Sequence, residues 1–321
     1  MRDHYCRPIS IASINPQTFP AVSLYTKTGG NYVLYKPHDR QFTDLDRMRL
    51  ERNSVEFLFV RTGDMEEVTR FLENGLSETL GRQDLSVQAK GHILYQTTVN
   101  YVIDVFENPE EAAKLDRCRN LVRYLLEYIC SDTDSLNAIH SVAEHNYYIF
   151  VHSLQVAALS LLVHDEVYRL TPDELTDVGI GGLLHDLGMI FVSNRILEKQ
   201  DALSDVEYYK IKRHAQQGYE CLKEIGGFSE ISLLAVRHHH ERYDGDGYPS
   251  ALKGENIPRT AQVMAICDVY SALTADRIHR QAVSHARALE IMRSEMPGAF
   301  NPELFARFVT IITARKKTED N

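Results

Sequence analysis

A histidine and an aspartate stand side by side inside a strongly apolar stretch, Ile180-Gly181-Gly182-Leu183-Leu184-His185-Asp186-Leu187-Gly188-Met189-Ile190. Leu183, Leu184, Leu187 and Ile190 follow helical spacing and mark a buried face. Burying an imidazole and a carboxylate there is costly unless both are paired or bind a metal. Whatever fold this chain adopts must therefore supply them with partners. Adjacent helical residues point about 100° apart. A metal beside the helix can still take nitrogen from one and oxygen from the other. A carboxylate has two oxygens and can bridge two metals, which an imidazole cannot. The plainer alternative is a core histidine hydrogen-bonded to its own neighbour.

A second cluster lies downstream. Residues 238–249 read His-His-His-Glu-Arg-Tyr-Asp-Gly-Asp-Gly-Tyr-Pro. Neutral imidazole nitrogens are what a metal takes from a protein. The Asp244-Gly245-Asp246-Gly247 run favours a turn, so a helix ends here with its last imidazoles at the mouth of a loop. A solvated helix end would read the same way in isolation. Three more candidates follow at element-like intervals: His152 near the start of an apolar helix, His214 after Tyr208-Tyr209-Lys210-Ile211-Lys212-Arg213, and Asp268 inside Val263-Met264-Ala265-Ile266-Cys267 and Val269-Tyr270. Each alone could be an ordinary core or surface residue. Jointly these clusters and candidates supply five imidazoles and two carboxylates across five helices, enough for two metals if Asp186 bridges. The set offers nitrogen and oxygen without sulfur, which suits iron, manganese or zinc.

The order His152, His185-Asp186, His214, His239-His240, Asp268, with Asp-Gly-Asp-Gly-Tyr-Pro after the paired histidines, resembles the HD-GYP family, bacterial metal-dependent phosphodiesterases of the HD superfamily, and the resemblance makes these seven residues the metal ligands. The resemblance runs from about Asn146 to Val309. It includes Ile257-Pro258, Asp276-Arg277-Ile278-His279-Arg280 and Phe300-Asn301-Pro302-Glu303-Leu304. It implies an all-helical catalytic domain with a two- or three-metal centre, usually of iron or manganese. It implies hydrolysis of cyclic di-GMP to linear pGpG and often on to GMP. It places His185 and Asp186 at the catalytic centre, and Tyr248, Arg277 and Arg280 at the substrate. Three departures stand out. Met189 occupies the position of a family lysine one turn after the HD pair. Tyr148 stands where members with a third metal carry glutamate, so two divalent metals are expected. Arg277-Ile278-His279-Arg280 lacks the proline of the family's Arg-Pro-Tyr-Arg, and with it some rigidity.

The N-terminal part differs in pattern. Val22–Tyr25 and Tyr32–Tyr35 around Gly29-Gly30 predict a β-hairpin. Thr43 can cap a helix from about Asp44 to Asn53. Val55–Val60 predicts a strand, and Asp64 to about Leu80 another helix. From Val87 to about Ile129 the pattern is helical, with Ile93, Val99, Val102, Ile103 and Phe106 apolar. Those faces suit a dimer seam or packing onto the catalytic domain equally well. The expected fold is α+β overall. A small α/β regulatory or docking domain spans 1–86, a helical connecting segment 87–136, and an all-α HD-type catalytic domain 137–321.

Composition sets the remaining bounds. The chain has 321 residues and a formal net charge of −10, room for a sizeable core in one large or two medium domains. Five cysteines without a CxxC spacing predict reduced thiols and a cytoplasmic protein. The first residues have no apolar signal core. The apolar run Ile149–Val163 is broken by His152, Ser153, Gln155 and Ser160, so a buried helix is expected there, not a membrane span. An acidic chain without a basic block argues against nucleic-acid polymers as partners. The substrate expected from the resemblance is a dianion, so its binding must rest on local positive charge. The leading expectation is a cyclic di-GMP phosphodiesterase. The alternative is a catalytically weak cyclic dinucleotide receptor signalling through a protein partner. A phosphohydrolase for another nucleotide fits the Gly-Tyr-Pro loop less well.

Overall fold

A computed structural model of the chain describes residues 6–132, 135, 136, 138, 148–197, 199, 201–275 and 281–316. They form two compact units, Met1–Asn100 and Tyr101–Asn321. The first holds a four-stranded antiparallel sheet in the order β1-β4-β2-β3, built from β1 (Cys6–Ser10), β2 (Leu24–Thr28), β3 (Asn31–Lys36) and β4 (Phe57–Arg61). The predicted hairpin is β2–β3. Gly29 and Gly30 form its two-residue turn with φ of +57° and +82°, and such tight hairpin turns require positive φ at both positions. Strand β1 was not expected from the sequence. Its Pro8 has no N–H to give a ladder, which an edge strand tolerates.

Helices α1 (Asp44–Arg52) and α2 (Met65–Gly81) complete this unit. Thr43 caps α1 as expected, in a reciprocal capping box with Asp46. Alternation sends Leu58 and Val60 of β4 into a core with Ile9, Leu24, Leu50, Val68 and Leu72. Phe59 leaves on the opposite face and meets Tyr32 edge-on.

Helix α3 (Val87–Glu107) runs from one unit into the other along the chain. Asn108 and Pro109 then break the expected helical run, with the Asn108 side chain capping the short turn that follows. Helix α4 (Leu115–Ser131) packs on α5 (Tyr148–Val167) and α6 (Pro172–Leu184). From Val151 to His164 every residue of α5 is buried. A helix apolar nearly all round belongs at the centre of a bundle. Against it stand α6 and α10 (Arg259–Thr274), while α9 (Glu230–His238) packs on α6 and α10, with α7 (Asp205–Lys212) and α8 (His214–Ile225) leading into α9. Helices α11 (His285–Ser294) and α12 (Pro302–Lys316) follow. Among the described residues, no helix is long and apolar enough to cross a membrane.

Candidate metal centre

Helix ends deliver most of the candidate ligands. Helix α6 stops at Leu184, His185 is its C-cap and Asp186 follows. The HD pair thus sits at a helix terminus and not inside a continuous helix, as the apolar spacing suggested. Gly188 shows why the chain tightens there: a Cβ on it would lie 1.9 Å from the His214 carbonyl oxygen. The turn after Asp186 rests directly on the start of α8, where His214 is the first residue. Gly182 serves a similar approach, since its Cβ would lie 2.6 Å from the Ala157 Cα on α5. Helix α9 ends at His238 as expected, with His239 as C-cap and His240 next. His152 lies in the first turns of α5, and Asp268 lies within α10.

All seven predicted ligands come together in two groups, buried except for the partly exposed His240. Asp186, His214, His239 and His240 form one; His152, His185 and Asp268 form the other. Within each group the donor atoms lie within 4.8 Å of one another. Asp186 faces both. Its Oδ1 lies 3.2 Å from His214 Nε2 and 3.9 Å from His239 Nε2, while its Oδ2 lies 3.4 Å from His185 Nε2. Asp268 reaches His152 Nε2 at 3.0 Å through Oδ1 and His240 Nδ1 at 3.7 Å through Oδ2.

Hydrogen bonds set which ring nitrogens face inward. His185, His214 and His239 each donate Nδ1–H to a backbone carbonyl three residues earlier, at 2.8, 2.7 and 2.8 Å. Ser271 gives its proton to Gln155 Oε1, so its oxygen accepts from His152 Nδ1 at 3.0 Å. Four Nε2 atoms therefore point at the centre. His185 Nε2 is buried and makes no hydrogen bond. His214 Nε2 and His239 Nε2 face each other at 3.2 Å. Two lone pairs so placed repel unless a cation sits against them, and outer partners that fix the inner nitrogen are typical of metal-binding histidines.

Ionisation fits the same reading. Burial pushes His239 well below the ordinary imidazole range and His240 down to about 4, so both rings are neutral donors near pH 7. Burial alone would raise Asp186, but the His185 and His214 rings hold it well below the carboxylate range. Burial opposes charge on His185, yet the Asp186 carboxylate outweighs it and lifts that ring to about 9. A bound cation would take that proton's place.

The loop after His240 is pinned independently. Glu241 is buried and accepts from the Ser250 and Leu252 amides at 2.7 and 3.0 Å, with His238 Nδ1 at 3.4 Å. His238 thus turns toward Glu241, and it belongs to neither group of candidate ligands. Tyr248 stacks on the His240 ring with centroids 4.7 Å apart. Asn301 caps α12 through its oxygen and donates to Glu255 and Gln262. Sequence reasoning missed Glu241, Gln155 and Ser271. Spacing could have found the last two, because Gln155 follows His152, and Ser271 follows Asp268, by three residues on the same helical face. Arg277 and Arg280 lie outside the described residues. Tyr148 is the first residue of α5.

Residues 143–304 match the HD domain family. This chain belongs to that family, in its HD-GYP branch. The HD-GYP domain is similar to several curated proteins. Cyclic di-GMP phosphodiesterase PA4108 of Pseudomonas aeruginosa is 32% identical over 66% of this chain and 51% of its own length. The cyclic di-GMP phosphodiesterase response regulator RpfG of Xanthomonas campestris pv. campestris is 35% identical over 43% of this chain and 36% of its own. The 3'3'-cGAMP-specific phosphodiesterase 3 of Vibrio cholerae is 32% identical over 48% and 33%. The chain thus spans about half or less of these relatives. Among solved structures, the HDG"Y"P protein Bd1817 of Bdellovibrio bacteriovorus superposes with a TM-score of 0.72, covering 96% of this chain and 99% of that one at 18% identity. The HD-GYP fold, helical with a small antiparallel sheet at the N-terminus, accords with that likeness.

Proposed function

We propose that this HD-GYP domain is a metal-dependent phosphodiesterase of cyclic dinucleotides, with cyclic di-GMP as substrate and linear pGpG, GMP or both as products. The observation that carries the reading is the position of Asp186, one oxygen toward each of two buried donor groups. His152, His185 and Asp268 would hold one divalent cation; Asp186, His214, His239 and His240 would hold the other, with Asp186 shared. The orphaned His185 Nε2 and the facing nitrogens of His214 and His239 fit such a pair. Iron and manganese are expected, and zinc also suits these donors. When bound, two cations supply Lewis acidity and an activated water for attack at phosphorus. The protein's own part is positional. Its carbonyls and Ser271 lock the rings, its two carboxylates balance the cationic charge, and Tyr248 covers His240 at the mouth.

Relatives named for cyclic di-GMP and for 3'3'-cGAMP make both dinucleotides the substrates to compare. A receptor reading is kept for one reason, the neutral Met189 at the position of the family lysine. The test is turnover of both dinucleotides by protein purified without oxygen, with metal measured on the same sample. We expect about two metals per chain and a linear product from cyclic di-GMP. Metal-loaded protein that binds the dinucleotide without yielding product would replace the enzyme by the receptor. Preference for 3'3'-cGAMP would correct the substrate alone.

A further inference from the structure

Beside the metal ligands, one lysine is held in an unusual setting. Lys212 ends α7, two residues before His214. Its ammonium lies 4.6 Å from the centre of the Tyr208 ring and 5.2 Å from that of Tyr248. Tyr208 precedes it by one helical turn, and Tyr248 arrives from the loop that Glu241 anchors. Tyr248 in turn stacks on His240. The order is therefore Tyr208, Lys212, Tyr248, His240, a column that places a cation one ring beyond a candidate metal ligand. Among the described residues Lys212 forms no ion pair, so its charge is not spent on a carboxylate. Two aromatic faces stabilise an ammonium without using its N–H donors. Lys212 is partly exposed, and among the described residues none of its N–H donors is taken by an ion pair. Tyr208 is half exposed.

We propose that Lys212 binds the substrate phosphate that does not lie against the metal ligands. The inference rests on the phosphodiesterase reading above. A cyclic dinucleotide carries two phosphates in one ring, so placing one at the cations leaves the other nearby and in need of a counter-charge. The chain as a whole carries −10 and offers no general attraction to a dianion. Met189 gives no charge. A lysine fixed by two tyrosines supplies it locally, as a point charge with three donors.

The test compares wild type, Lys212→Met and Lys212→Arg as metal-loaded full-length chains. Substrates are cyclic di-GMP and bis(p-nitrophenyl) phosphate, which has a single phosphate. Metal content is measured on each sample. For Lys212→Met we expect KM for cyclic di-GMP to rise about tenfold, the equivalent of about 1.4 kcal/mol of binding, with kcat changed less. The ratio of kcat/KM for cyclic di-GMP over the single-phosphate ester should fall by a similar factor. Lys212→Arg should restore most of both. An unchanged KM overturns the proposal. So does an equal loss on both substrates or a loss of metal, each of which marks a structural role. If wild type binds cyclic di-GMP without cleaving it, the enzyme reading fails by itself, and Lys212 is judged by Kd: a tenfold weakening in Lys212→Met, reversed by arginine, upholds it, and an equal Kd overturns it. If wild type neither cleaves nor binds the dinucleotide, both readings fall.

Discussion

Asp186 is the residue on which the centre turns, because its two oxygens serve different groups. Alanine there removes a ligand from both proposed cations and leaves buried imidazoles facing one another. Asp186→Ala should lose most of the bound metal by elemental analysis. Full retention would mean that Asp186 bridges nothing. Met189 is the second decisive residue. Half-buried in the turn after the HD pair, it is close in sequence to the ligands but carries no charge. A positive charge near the reacting phosphate stabilises the charge that grows on its oxygens, and such effects are large where water is scarce. Met189→Lys should raise turnover of cyclic di-GMP by about tenfold, the rate equivalent of about 1.4 kcal/mol. Rates measured at saturating substrate decide it, and no gain would show that charge at 189 does not reach the phosphate.

At the scale of elements, close helix contacts set the geometry. Gly188 lets the turn after Asp186 rest on the backbone of His214, and this contact fixes the distance from carboxylate to imidazole. A methyl group cannot be absorbed there, since the atoms it would meet are main chain. Gly188→Ala should destabilise the fold by about 1–3 kcal/mol, the usual cost of overpacking, and should lower metal content. Thermal unfolding with and without chelator separates the two effects, and a variant with unchanged metal and Tm would refute the contact's role. Much of this scale was legible beforehand. The β2–β3 hairpin, the Thr43 cap and the end of α9 follow from local signals, and the seven candidate ligands, which the structure brings together, were named by the family resemblance. What was not legible depends on contacts distant in sequence. The apolar spacing of Leu183, Leu184, Leu187 and Ile190 is compatible with one continuous helix, and only the approach of α8 at Gly188 ends it after Leu184. Pro8 argues against a strand unless that strand is known to lie at an edge. Glu241 reads as a solvated residue until the loop it holds is folded over it. The Lys212 column joins residues 36 apart and has no periodicity to reveal it.

At the scale of the whole chain, the seven candidate ligands all belong to the second unit, Tyr101–Asn321. We keep a domain boundary before Val87 as a proposal, with α3 retained whole on the C-terminal side. A fragment starting at Val87 should fold as a helical protein and retain its metals, as circular dichroism and elemental analysis would report. A soluble, helical, metal-free fragment would show that residues 1–86 contribute to the centre. The charge of the molecule gives the site a further property. Asp186 and Asp268 are both held well below the ordinary carboxylate range by neighbouring rings, although burial alone would raise them, so both stay ionised at neutral pH. Stripped of cations, the cavity sets these two carboxylates against an anionic visitor, with the His185 ring, lifted to about 9, offsetting one of them, on a chain already at −10. If the proposed cations fill the site, they displace the His185 proton and outweigh both carboxylates, so an anionic ligand would meet net attraction only once the metals are in place, without a moving part.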